Sequence, residues 1–180
     1  MYYFTSDEHY GHENVLKWQD RPFIDLDAMN QGLIERHNLL VGKNGVTIHA
    51  GDFCWPSNPK FAATIIKRLN GNHVFLQGSH DRWLRKVDGA KQIWSKTIEG
   101  HHVVVCHYAM RVWSRSHYNS WQLHGHSHGR LIPQGKQMDI GVDCCNYYPI
   151  SFDNVRVLME MQPNNLNFIP EPERRRTNAV

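Results

Sequence analysis

The sequence predicts an α/β domain, and three observations carry that prediction. Short apolar, β-rich runs recur along the chain, helical patterns lie between them, and each run is followed by a cluster of Asp, His and Gly. Alternation of strand and helix is the pattern of a layered α/β domain. At 180 residues the chain can bury a core without disulfide staples, and 41% hydrophobic with 21% charged residues is a globular composition. Residues 1–160 are expected to form one α/β domain, with 161–180 as a C-terminal tail.

The expected strands are Tyr2-Tyr3-Phe4, Val46-Thr47-Ile48, Val74-Phe75-Leu76, Val103-Val104-Val105 and Trp121-Gln122-Leu123. Each is bounded by Gly, Asp, Asn or Ser, as buried strands are. Asp27 is expected to cap a helix running to about Val41, with Met29, Leu33, Ile34, His37 and Leu40 near one face. Asn58-Pro59 opens a second helix, with Phe61, Ile65, Ile66 and Leu69 at helical spacing and Asn70-Gly71 as its stop. Ser151 starts a third helix, or else Val155–Leu158 is a last strand; the pattern allows both. Residues 82–100 and 161–180 have no clear periodicity.

Several classes are excluded by composition. No apolar run approaches the roughly 20 residues of a membrane span. The N-terminus lacks the basic region and cleavage site of a secretory signal. Cys54, Cys106, Cys144 and Cys145 form no C-x-x-C pair, so neither a zinc knuckle nor a redox motif is indicated, and a reduced, cytoplasmic chain is the simplest reading. The net charge of +3 owes much to the terminal run Glu171–Arg176, which reads first as a solvated end and second as a nucleic-acid contact through Arg174, Arg175 and Arg176.

Thirteen histidines in a chain of this length are the compositional anomaly. Histidine is the commonest metal ligand and the usual acid or base near neutral pH. In open α/β sheets, functional residues gather beyond the carboxyl ends of the strands. There this sequence places Asp7-Glu8-His9, Gly51-Asp52, Gly78-Ser79-His80-Asp81, His107 and Gly125-His126-Ser127-His128-Gly129. Singly, Asp-x-His or Gly-Asp is ordinary turn chemistry. Two imidazoles one residue apart between glycines suit metal capture better. Together the donors are nitrogen and oxygen without thiolate, which favours Mn, Fe, Zn or Ni. They are too many for one tetrahedral ion; two ions sharing a carboxylate use them all, the arrangement that promotes in-line displacement at phosphorus.

The ordered set Asp7-x-His9, Gly51-Asp52, Gly78-Ser79-His80-Asp81, His107 and Gly125-His126-x-His128 resembles the calcineurin-like metallophosphoesterase family, over Met1 to about Val157. Phe4–Asp7 with Gly11-His12, His107–Trp113, Ser120-Trp121, Asp139–Asp143 and Pro149–Ser151 resemble its small single-domain bacterial and phage branch. The resemblance implies a four-layer α/β/β/α sandwich and a cytoplasmic hydrolase of phosphate esters holding two divalent metal ions, manganese foremost. It implies that Asp7, His9, Asp52 and His128 hold one ion. Asp52, Ser79, His107 and His126 hold the other, with Asp52 as the bridge. His80 approaches the phosphate and leaving group, Asp81 orients His80, and a hydroxide between the ions attacks.

Position 79 departs from the family pattern, which has Asn there; a Ser hydroxyl is shorter and a poorer neutral ligand, so weaker occupancy of the second site is expected. His12, Arg82, Arg111 and His117 are expected to contact substrate, as guanidinium and imidazole suit phosphate. Arg115, Arg130 and Tyr118 are weaker candidates, and Trp113 and Trp121 are expected to pack rather than stack on a base. His37, His49, His73, His101 and His102 have no motif support. A nucleotide-type phosphodiester is the favoured substrate. A phosphomonoesterase and a non-enzymatic scaffold are the alternatives, and no membrane or obligate protein partner is expected.

Overall fold

A computed structural model describes residues 1–55, 58–86 and 90–170; the basic run at Arg174–Arg176 lies outside the described residues. In chain order the elements are β1 (Tyr2–Thr5), α1 (Glu13–Trp18), α2 (Leu26–Leu40), β2 (Val46–His49), α3 (Pro59–Ile66) and β3 (Asn72–Phe75). They continue with β4 (Ile93–Ile98), β5 (His101–Cys106), β6 (Trp121–His124), β7 (Gln137–Asp139), β8 (Ile150–Ser151) and α4 (Phe152–Met161). No helix among the described residues is long and apolar enough to cross a membrane.

The strands form two four-stranded sheets, ordered β3-β2-β1-β8 and β4-β5-β6-β7. In the first, β1, β2 and β3 are parallel, with Phe4 opposite Ile48 and Ile48 opposite Val74, and β8 joins antiparallel. In the second, β4 and β5 make an antiparallel pair while β5, β6 and β7 run parallel. Parallel strands end together, so the loops after β1 and β2 leave one edge of the first sheet and those after β5 and β6 leave one edge of the second. Val142 N–H donates to the Ser6 carbonyl at 2.9 Å, and Ser6 bridges Gly141, which fastens the two edges to each other.

Alternation decides which face of each strand is buried where. Phe4, Ile48 and Leu76 meet Val103, Val105, Leu123 and Ile140 in one core shared by both sheets. Tyr10 and Phe53 meet Met29, Leu33 and Ile34 of α2 and Ala62 and Ile65 of α3 in a second core. The opposite set on the second sheet is polar. Gln122 and Gln137 are buried, and Gln137 donates to Gln122 Oε1 at 2.7 Å and to the Met110 carbonyl at 2.9 Å. Gln122 in turn donates to the Tyr108 carbonyl at 3.3 Å, so the loop after β5 covers this face and satisfies its amides.

The expected strands are all present, four of them longer by one to three residues and the one expected at Val74–Leu76 shifted to Asn72–Phe75. The helix expected after Asp27 starts two residues earlier, because the Asp25 side chain, rather than that of Asp27, accepts the Ala28 N–H at 2.8 Å. At the C-terminus the helical alternative holds: Ser151 caps α4 by accepting the Asn154 N–H, and Phe152, Val155 and Met159 fall on one buried face. α1, β4, β7 and β8 were not legible, being short or, for β4, largely exposed on both faces. All four cysteines are free thiols.

Candidate metal centre

The loops leaving β1 and β2 run side by side. Asp7, His9 and Tyr10 N–H groups donate to the carbonyls of Gly51, Asp52 and Phe53 at 2.9–3.0 Å. The loop after β6 is tied to the end of β5 by Gly125 N–H donating to the His107 carbonyl at 3.1 Å. This brings together two groups of potential ligands: Asp7, His9 and His128, and Asp52, His107 and His126. Within each group the donor atoms lie within 4.8 Å of one another.

Asp52 sits between the groups. Its Oδ2 is 3.3 Å from His107 Nε2, 3.9 Å from His9 Nε2 and 4.0 Å from His80 Nε2. His128 Nε2 lies 3.9 Å from Asp7 Oδ1. Asp7 Oδ1, His9 Nε2 and His107 Nε2 are buried without a hydrogen-bond partner. Orphaned polar atoms of this kind are costly, and three of them converging on one place mark a site built for something to bind. Five of the six residues, all but His107, have positive φ: Asp7 (59°), His9 (53°), Asp52 (55°), His126 (67°) and His128 (47°). Such strain in non-glycine residues persists only where surrounding contacts enforce it, and it clusters at functional sites. Close approach also requires glycine at 125, where a Cβ would lie 2.0 Å from Ser6 Oγ and 2.2 Å from Asp7 Oδ2.

The supporting contacts fix which nitrogen each imidazole presents. His107 Nδ1 donates to the Ala50 carbonyl at 3.0 Å, leaving Nε2 toward Asp52. His128 Nδ1 pairs with Asp143 Oδ2 at 2.7 Å, leaving Nε2 toward Asp7. Buried Arg21 grips both Asp143 oxygens at 2.8 and 2.9 Å and also donates to the Asp7 and Glu8 carbonyls. A carboxylate behind a histidine is the usual way a metal-binding imidazole is oriented. Asp139 accepts from Ser127 Oγ and from the Gly129 and Gly141 N–H groups, which shapes the His126–His128 loop.

The electrostatics follow from burial and these neighbours. Burial pushes Asp7 up to about 7, against the pull of His107 and His128. Burial also acts to raise Asp52, but His107, the His80 N–H and His9 outweigh it and hold the carboxyl below its ordinary range. The donor set, carboxylate oxygens and imidazole nitrogens with buried unpaired atoms, fits a divalent ion of borderline hardness.

The remaining expected residues fall in four places. Ser79 joins the second group, its hydroxyl donating to Asp52 Oδ2 at 2.8 Å. His80, with its side chain 40% exposed, stands at the opening, and its N–H donates to Asp52 Oδ1 at 2.8 Å. His12 is beside the first group, its Nδ1 3.2 Å from His9 Nδ1. Arg82 is exposed directly after His80 and Asp81, and Arg111 is exposed on the loop after β5.

Two expectations are corrected. Asp81, expected to orient His80, instead accepts from the N–H groups of Asp52 (2.6 Å), Phe53 (3.0 Å) and Gly78 (3.0 Å) and from Trp83 Nε1 (2.9 Å). Four donors fill the roughly four acceptor positions of a carboxylate, so Asp81 holds the Asp52 loop and leaves nothing for the His80 ring. His117 lies at the other end of the second sheet. The loop after β5 descends its covered face, so that Ser120 leads into the start of β6, where Trp121 pairs with Val103. There the His117 carbonyl accepts the Ile169 N–H, and Arg115 and Tyr118 line a depression with His101 and His102, the first residues of β5. Trp113 and Trp121 pack as expected: the Trp113 indole donates to the Ser120 carbonyl, and Trp121 is buried in the shared core.

Sequence reasoning missed Arg21, which no motif marks, and gave no role to Asp143 although its segment was noted. It also passed over Trp18 and Trp55, which flank His12 with ring centroids 5.4 Å away on either side. On the side of Ser79, a cleft of about 560 Å³ is lined by Gln77, Arg85, Gln92, Ile93, Tyr108 and Met110.

No family model matches the chain. An uncharacterized protein of Methanocaldococcus jannaschii is 29% identical over 168 residues, 88% of this chain and 90% of that protein. The crystal structure of a protein of unknown function from Aquifex aeolicus has the same fold, with a TM-score of 0.68 at 21% identity over 88% of this chain and 98% of that one. Weaker likenesses are to a single mutant of Vps29 from Entamoeba histolytica (TM-score 0.47, 16% identity, 78% and 72% covered) and to a predicted phosphoesterase from Streptococcus pneumoniae (0.43, 15%, 78% and 70%). Fold and site together define a mixed α/β protein of two sheets with paired Asp/His groups able to hold metal ions at their common edge.

Proposed function

We propose that the chain is a metal-dependent phosphoesterase of the calcineurin-like superfamily, acting on phosphate esters and preferring nucleotide-type diesters. One observation carries this reading: two Asp/His groups share Asp52 between them, and three of their donor atoms are buried and unpaired. Asp7, His9 and His128 would hold one divalent ion, His107 and His126 the other, and Asp52 would serve both. The bound pair supplies a water acidic enough to act as nucleophile at neutral pH and positive charge for the phosphoryl oxygens. His80, exposed at the opening, would donate a proton or hydrogen bond to the ester oxygen that leaves. Asp81 keeps the Asp52 loop rigid, and Arg82 offers a guanidinium at the entrance.

The experiment is hydrolysis of bis(p-nitrophenyl) phosphate and p-nitrophenyl phosphate by metal-stripped protein resupplied with Mn. Turnover with the diester ahead of the monoester, reduced about a thousandfold by Asp52→Asn, is expected; folded protein without turnover in any divalent metal overturns the reading. A binding scaffold is the second reading, and one contact favours it. Ser79 Oγ is engaged with Asp52 rather than open to a ligand, which weakens the second group. Under that reading Ser79→Asn raises the affinity for a second ion and creates turnover where the natural residue gives none.

A further inference from the structure

Beside the first ligand group, three rings form a ledge. Trp18 is 64% exposed and Trp55 41% exposed, with His12 between them. His12 meets Trp18 edge-on (90°) and stacks near-parallel on Trp55 (30°). Trp55 in turn stands 5.5 Å from the His80 ring, centroid to centroid, so the ledge runs continuously into the opening of the metal centre. Leaving two indoles in water forfeits one of the largest apolar gains available to a side chain. The backbone nevertheless holds them there. Trp18 ends α1, and Trp55 N–H donates to the Tyr10 carbonyl at 2.7 Å. The Trp55 carbonyl passes so close to Gly11, itself at φ 78°, that a Cβ there would lie 2.1 Å from it. Beyond Trp18, Arg130 reaches the end of α1, donating to Gln19 Oε1 at 2.8 Å.

We propose that this ledge is a base-stacking subsite for a short single-stranded oligonucleotide: one nucleobase stacks on Trp55, the steeply turned Trp18 ring walls the same subsite across His12, and the next phosphate along the strand meets Arg130. The proposal rests on the phosphoesterase reading for the direction of the strand, which runs from the metal centre outward. An exposed π-face with a guanidinium beyond it is the chemistry of sequence-tolerant single-strand binding. An exposed indole face matches a nucleobase better than a sugar or a simple alkyl ester.

The test is equilibrium binding of a fluorescent thymidine tetranucleotide to the metal-free full chain, in wild type, Trp18→Ala, Trp55→Ala and Trp55→Phe. Each alanine variant is expected to weaken binding about 5- to 100-fold. Trp55→Phe is expected to restore most of the loss, and an abasic tetranucleotide to bind wild type no better than the variants bind the normal one. Both positions are exposed enough for the variants to fold, and an unchanged denaturation midpoint checks this. Equal affinities across the set, or equal binding of the abasic strand, overturn the ledge while leaving Mn-dependent turnover of bis(p-nitrophenyl) phosphate untouched. Loss of binding in the variants of a protein that hydrolyses neither ester supports the ledge and rejects the hydrolase.

Discussion

Two groups of histidines occupy this fold and behave oppositely. At the sheet edge, His9, His107, His126 and His128 gather around Asp7 and Asp52. Beneath it, His37, His49 and His73 pack against one another, with centroids 5.2–6.1 Å apart. The inner three bond largely among themselves: His37 Nε2 donates to the Asn70 carbonyl, and His49 joins His73 at 3.0 Å and Glu8 at 2.5 Å, with His73 Nε2 left unpaired. Burial drives His37 and His49 down to about 3 and His73 to about 4, while it drives Glu8 up to about 8, so this group is neutral near pH 7. At the edge, by contrast, carboxylates raise His107 and His128 against the effect of burial. His49 spends both ring nitrogens on neighbours, whereas His107 spends Nδ1 on a backbone carbonyl and leaves Nε2 unpaired toward Asp52, which is what a ligand position requires.

The contrast can be broken most severely at Arg21. It is the buried cation behind the edge, and Arg21→Ala leaves Asp143 with His128 as its remaining partner and the Asp7 and Glu8 carbonyls without their donor; a loss of about 3–5 kcal/mol in denaturant stability is expected. Asp143→Asn is milder, since it keeps the shape and removes the charge behind His128. Metal affinity measured by calorimetry should fall about 10- to 100-fold. The inner group shows its effect in pH. Folded His37 stays neutral down to about 3 while the unfolded side chain protonates near 6.5, so the unfolded chain binds more protons across that window. The histidines' contribution therefore falls as pH drops from about 6.5 toward 3 and is constant above it, while Glu8, raised from 4.5 to about 8, contributes stability that is lost as pH rises across that range. His37→Gln should flatten the slope by at most about 1.4 kcal/mol per pH unit, read from denaturation midpoints at pH 4 to 7. The smallest effect belongs to His117→Ala: at the far end of the second sheet, it should leave ester turnover within about twofold.

The sequence was most readable where chemistry is local. Strand-end clusters announced themselves because Asp7 and His9, or His126 and His128, are neighbours in the chain and follow apolar runs. Arg21 and Asp143 form a decisive pair yet lie 122 positions apart, and nothing in either segment names the other. His117 misled because ten residues of loop can stay at an edge or cross a whole sheet, and only the pairing of Trp121 with Val103 decides between them. Asp81 was found but misassigned: adjacency to His80 suggested a ring contact, whereas the turn aims its carboxylate at backbone N–H groups. Trp18 and Trp55 carry no pattern, since exposure is invisible in a string of letters.

The candidate ligands come from both sheets, Asp7 and Asp52 from loops of the first and His107, His126 and His128 from loops of the second. Mechanically this makes the centre a rivet. Sliding one sheet past the other would pull the two halves of each group apart, along the seam that the Ser6–Gly141 bridge, the Val142 hydrogen bond, the His107–Ala50 contact and the Arg21–Asp143 pair already hold. A cation seated there would resist shear between the layers, so the force needed to separate them becomes a function of how much metal is in solution.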